Sequence, residues 1–103
     1  MASDGAGLVN RCMDCFAWHP EVALLAHEIA LALKQLDDVT ASVEQRMAHL
    51  IAAVESHGRV RRHLAPLRLG HEEIAAINAR LRLLWDRIEH VSRELAAQTS
   101  RAT

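Results

Sequence analysis

Two cysteines and a histidine near the start of the chain have the spacing of zinc ligands. Cys12 and Cys15 are separated by two residues, and His19 follows four residues after the second cysteine. Thiolate and imidazole are ligands that zinc prefers, although this motif supplies only three of the usual four. We therefore weigh three roles for the thiols: no role in binding, a zinc site with His19, and a disulfide or redox pair.

Four arginines, Arg59, Arg61, Arg62 and Arg68, lie in a stretch of the chain, 59–70, that contains no acid. Guanidinium groups form paired hydrogen bonds with phosphates and carboxylates, so these arginines are candidates for contact with an anion or an acidic partner. Basic side chains after the end of a helix also complement its dipole, and that role needs no ligand.

The overall charge argues against nucleic acid as the ligand. The chain has 12 Lys and Arg residues against 13 Asp and Glu residues, which gives a formal net charge of -1. It also has one Phe and no Tyr, so it has few of the aromatic side chains on which bases stack. A nucleic-acid partner is therefore disfavoured, and the weaker alternative is a three-helix DNA-binding regulator that places this arginine-containing stretch on the DNA backbone.

The sequence contains no recognisable catalytic motif. Its four glycines are too scattered for a phosphate-binding loop, and neither a Gly-x-Ser-x-Gly nor a Glu-x-x-His motif occurs. The longest apolar runs, of which 22–26 is one, are only five residues long, far shorter than the roughly 20 residues of a membrane span. We expect a protein that is not an enzyme, has no contact with a membrane and is cytoplasmic.

The elements that must position these residues are helices, because half of the residues are apolar and only four are glycine and two proline. A first helix is predicted over 20–57. His19, Pro20 and Glu21 have the features of a helix start, and Gly58 those of a helix end. The apolar residues between them recur every three or four positions: Val22, Leu25, Ile29, Ala32 or Leu33, Leu36, Val39, Val43, Met47, Leu50 and Val54.

The weak part of this first helix is the segment 37–42. Asp38, Thr40 and Ser42 could each cap a new helix. Because the apolar stripe crosses the segment in phase, the pattern favours one continuous helix, with a break near Asp38 as the alternative.

A second helix is predicted over 71–98, following a connection at 59–70. Its apolar residues form a heptad seam with alternating steps of three and four: Ile74, Ile77, Leu81, Leu84, Ile88, Val91 and Leu95. The g positions beside this seam are all charged, as is typical of paired helices: Glu73, Arg80, Arg87 and Glu94.

The two helices differ in length. At about 1.5 Å per residue the first would be about 57 Å long and the second about 42 Å, so the second cannot cover 22–29. That segment is apolar on two sides, since Leu24 and Leu31 lie nearly opposite Val22 and Ile29. We expect an all-α fold, a long helical hairpin that dimerises into a four-helix bundle, with a monomeric three-helix bundle as the alternative.

The resulting domain plan is an irregular arm at 1–19, a helical domain at 20–98 and a frayed tail at 99–103. The function expected from it is a non-catalytic, self-associating module that binds a protein partner. The alternative is a small zinc-binding or zinc-sensing protein that uses Cys12, Cys15 and His19. The residues expected in the core or dimer interface are Val22, Leu25, Ile29, Leu36, Ile74, Ile77, Leu81, Leu84, Ile88, Val91 and Leu95.

Overall fold

The structure, a computed structural model, describes residues 19–102, and these residues form three helices and no strand. The helices are α1 (Pro20–Leu36), α2 (Val43–Leu64) and α3 (His71–Ala102). They run up, down and up, and each contacts the other two. The prediction of an all-α bundle is confirmed, and the chain adopts the three-helix alternative.

Helix α1 begins where the sequence predicts. Pro20 occupies the first turn, where its missing N–H costs nothing, and the His19 ring caps the helix by accepting a hydrogen bond from the Glu21 backbone N–H at 3.2 Å. Lys34 lies in the last turn, where its positive charge interacts favourably with the negative end of the helix dipole.

The predicted continuous first helix is wrong, because the chain leaves the helix at 37–42. The Asp38 carboxylate accepts hydrogen bonds from both the backbone and the hydroxyl of Thr40, at 3.1 and 2.6 Å. Ser42 and Gln45 then form a reciprocal capping box that starts α2. These local hydrogen bonds outweigh the continuity of the apolar stripe.

The predicted helix end at Gly58 is also wrong, since α2 continues to Leu64. A glycine inside a helix costs about 1 kcal/mol, whereas full burial of a valine such as Val60 stabilises by about 1.5–3 kcal/mol. Helix α2 ends at Leu64, and Ala65 still has helical backbone and donates its N–H to the Arg61 carbonyl. Pro66 has no N–H, so it cannot donate the next hydrogen bond of the helix. The connection is therefore 65–70, shorter than predicted.

Helix α3 starts at His71 as predicted and buries the heptad seam, apart from Ile74, which remains 39% exposed. It continues to Ala102, into the segment expected to be a frayed tail. The Thr99 hydroxyl donates to the Leu95 carbonyl within this last part.

The core is a narrow layer between the three helices. Helix α1 buries all four of the residues predicted for it together with Ala32, and α2 contributes a different set from the predicted stripe. The buried residues of α2 are Ala53, Ser56 and Val60. Leu24 and Leu31, on the outer side of α1, stay exposed.

Candidate functional site

Helix α2 carries an apolar stripe on the outside of the molecule. Val43, Met47, Ile51 and Val54 are between 43 and 59% exposed, although the spacing of Val43, Met47 and Val54 predicted burial. The break at 37–42 is the reason for the difference, because it lets α2 turn Ala53, Ser56 and Val60 towards the core instead. The stripe is thus left without a covering element in the part of the chain that the structure describes.

Paired contacts on α2 and α3 show which side of the molecule the stripe occupies. Arg59 of α2 bonds to Glu28 of α1 at 2.8 Å, whereas His57, two residues earlier, contacts Trp85 of α3. Residues two apart on a helix point about 160° away from each other.

Trp85 and Arg87 of α3 are also two residues apart, so their side chains point to nearly opposite sides of the helix. Arg87 forms an ion pair with Asp37, at the end of α1. Helix α1 therefore covers one side of the α2–α3 pair, and the contact between His57 and Trp85 lies on the other side.

An open groove of about 470 Å³ continues along this second side. It lies between Met47 and Leu50 of α2 and the C-terminal half of α3, where Leu95 forms its floor and Ala96 part of its wall. Further residues of α3 complete the lining: Ser92, Thr99 and Ser100.

We call this uncovered side of the α2–α3 pair the open face. Ile74 lies on it too, since it is eleven residues, or about three turns, from Trp85. Its apolar residues are Val43, Met47, Leu50, Ile51, Val54, Ile74, Trp85 and Ala96. Together they form an exposed apolar surface beside the groove between α2 and α3.

The polar group at the centre of the open face is His57. Its ring lies 4.9 Å from that of Trp85, centroid to centroid, at an angle of 50°. Burial in this position, together with the nearby positive charge of Arg61, lowers the pKa of His57 below its ordinary value of 6.5. The Trp85 indole N–H donates to Glu89 at 3.1 Å, so its polar edge is satisfied without a ligand.

The charged g positions of α3 fix the helices to one another. Glu73 accepts a hydrogen bond from the His19 backbone N–H at 2.7 Å, and Glu94 pairs with Arg46 of α2 at 3.0 Å. The Arg46 guanidinium lowers the pKa of Glu94. Together with the ion pair between Arg87 and Asp37, these contacts hold α3 against α1 and α2.

The four arginines proposed for anion contact lie on two elements. Arg59, Arg61 and Arg62 lie on α2 itself, and only Arg68 lies in the connection. Arg59 is engaged with Glu28, which leaves the exposed side chains of Arg61, Arg62 and Arg68 for a partner.

Only one of the three predicted zinc ligands, His19, lies among the described residues. Cys12 and Cys15 lie outside the described residues, and His19 uses its Nδ1 to cap α1, so only Nε2 could bind a metal. Within 19–102, no three His, Cys, Asp or Glu side chains are grouped closely enough to hold an ion. The zinc site stays a prediction.

The pattern of the sequence did not identify Ile51, Trp85 and Ala96 as part of an exposed apolar surface. The available signal was Trp85, a large aromatic side chain directly beside the heptad seam, which widens the apolar face of α3 beyond the needs of one partner helix.

No helix in the described part of the chain has both the length and the apolar character needed to cross a membrane. Comparison of the chain with protein-family models, with curated proteins and with solved structures finds no match.

Proposed function

We propose that this chain is a non-catalytic helical interaction module that associates with a second copy of itself through the open face. The observation that supports this proposal is the apolar stripe of α2, whose large side chains are about half exposed, next to the groove of α3. Contiguous apolar patches of this kind on soluble proteins mark sites of association.

The size of the open face suits a protein partner. Helix α2 is about 33 Å long, and two helices side by side are about 20 Å wide, so the face is of the same order as the roughly 800 Å² that each partner contributes to a stable interface. A second copy brings an equal face, and packing the two faces together would place α2 and α3 of both copies in a four-helix bundle. Each α1 would remain on the outside.

The outer side of α1 is the less suitable surface. Its exposed large apolar residues are Leu24 and Leu31, which are two turns apart, and His27 and Lys34 are exposed on the same helix. An interface there would enclose the Lys34 ammonium group and the His27 ring for little apolar contact.

A triple substitution on the open face tests the proposal. Met47→Gln, Ile51→Gln and Val54→Gln replace exposed side chains with a good helix former, so the isolated chain should keep its helices. Six apolar side chains are lost from a symmetric interface, and the dissociation constant should rise at least about 100-fold. Sedimentation velocity from 1 to 100 μM measures the mass, and circular dichroism measures the helix content.

The matched control is the pair Leu24→Gln and Leu31→Gln on the outer side of α1, which should leave the dimer unchanged. A parent protein that is monomeric over the whole range, or a triple variant that dimerises as well as the parent, would contradict the proposal.

A further inference from the structure

We infer that two copies pair through antiparallel α2 helices about a two-fold axis, with Ile51 of each copy against Val54 of the other. This inference rests on the proposed function and adds the orientation and register of the second copy. The charges and the single glycine of α2 carry it.

Two exposed charges lie at opposite ends of the apolar stripe. Glu44 is seven residues before Ile51, and Arg61 is seven residues after Val54, so the two charges lie at equal distances from the proposed axis, each about two and a half helical turns away. Both side chains are exposed, and neither forms an ion pair with a residue that the structure describes. In contrast, Arg46 and Arg59 on the same helix are already paired within the chain.

The orientation of the second copy decides whether these charges attract. In a parallel pair of α2 helices, Glu44 would face Glu44 and Arg61 would face Arg61. In the antiparallel pair, Glu44 of each copy comes opposite Arg61 of the other, so two symmetric ion pairs form. Antiparallel α2 helices also place opposite ends of the two helix dipoles side by side.

The same register explains a glycine in the middle of a helix. Met47 is four residues before Ile51, and Gly58 is four residues after Val54, so Met47 of one copy lies over Gly58 of the other. A methyl group added at Gly58 would come 3.3 Å from the Arg62 guanidinium, the end of a flexible side chain that can move aside. The missing side chain leaves room at the interface for the large thioether of Met47.

Charge reversal tests the orientation. Glu44→Arg changes two attractive pairs into two repulsive ones and should raise the dissociation constant on the order of tenfold, and Arg61→Glu should do the same. An equimolar mixture of the two variants restores opposite charges at both pairs, so its heterodimer should form as tightly as the parent dimer. Lys34→Glu, an exposed charge reversal on α1, is the control and should have no effect.

Disulfide trapping tests the register independently of charge. In a Cys12→Ser and Cys15→Ser background, Glu44→Cys and Arg61→Cys chains should cross-link when mixed and oxidised. Neither chain should cross-link by itself, because the two copies of each position are about 25 Å apart along the antiparallel helices, beyond the reach of a disulfide.

The outcomes separate this inference from the proposed function. Cross-linking of the mixture together with the loss and recovery of affinity supports the register. A parent dimer in which Glu44→Cys cross-links with itself, or in which both charge reversals are without effect, overturns the register and leaves self-association intact. A parent chain that is monomeric at 100 μM overturns both.

Discussion

Neighbouring leucines on α3 show how strongly the position of a single residue determines its effect. Leu84 is fully buried in the seam, whereas Leu83 is 52% exposed. We expect Leu84→Asp to destabilise the fold by several kcal/mol, because it places an unpaired carboxylate among apolar side chains. Leu83→Asp, the same change one residue earlier, should cost less than about 1 kcal/mol. Urea unfolding followed by circular dichroism measures both, and equal losses would show that the seam is not the core.

The position of His57 makes the stability of the protein depend on pH. Burial beside Trp85 and the charge of Arg61 lower the pKa of His57 in the folded protein, so the folded state takes up fewer protons than the unfolded state. The contribution of His57 to stability is therefore complete above about pH 6.5 and is lost as the pH falls through the lowered pKa.

We expect the free energy of unfolding to decrease from pH 7 to pH 5, and the decrease to be smaller in His57→Gln. Denaturant unfolding at several pH values measures both slopes. Identical slopes in the parent and the variant would mean that protonation of His57 is not linked to folding.

The sequence predicted the buried face of α3 better than it predicted that of α2. The steps of three and four from Ile77 to Leu95 place their side chains on one face whatever the rest of the chain does, and the structure buries all of them. The first turn of α1 was equally clear, because Pro20 and Glu21 act locally.

The apolar stripe that joins α1 to α2 was misleading for a physical reason. Periodicity records which residues could share a face, but it does not include the energy of the hydrogen bonds between Asp38 and Thr40 or of the cap at Ser42. Once α2 started as a separate helix, packing decided its rotation, and the small residues Ala53 and Ser56 entered the core in place of Met47 and Val54. The open face is the result of that choice and was not visible in the spacing alone.

The cap of α2 offers a direct test of this account. Ser42→Ala removes the hydroxyl that accepts the Gln45 N–H at 3.1 Å and should cost about 1 kcal/mol of stability. Ser42→Asp keeps an acceptor in place and should restore most of the loss. Thermal unfolding measures both variants, and an unchanged melting temperature in Ser42→Ala would show that the break does not depend on the capping box.

For the whole molecule, the helices form an elongated slab of 62 × 29 × 16 Å with a radius of gyration of 16.9 Å. A compact domain of about 100 residues has a radius of gyration of about 13 Å. The excess follows from α3, whose 32 residues extend well beyond α1. The slab therefore has a larger surface for its mass than a compact domain of similar length.

The open face lies on one side only, since α1 occupies the opposite side of the α2–α3 pair. In the proposed dimer both copies cover this face, and α1 occupies the other side of each α2–α3 pair. The position of α1 would thus limit the proposed assembly to two copies, whereas a chain with both sides uncovered would stack into filaments.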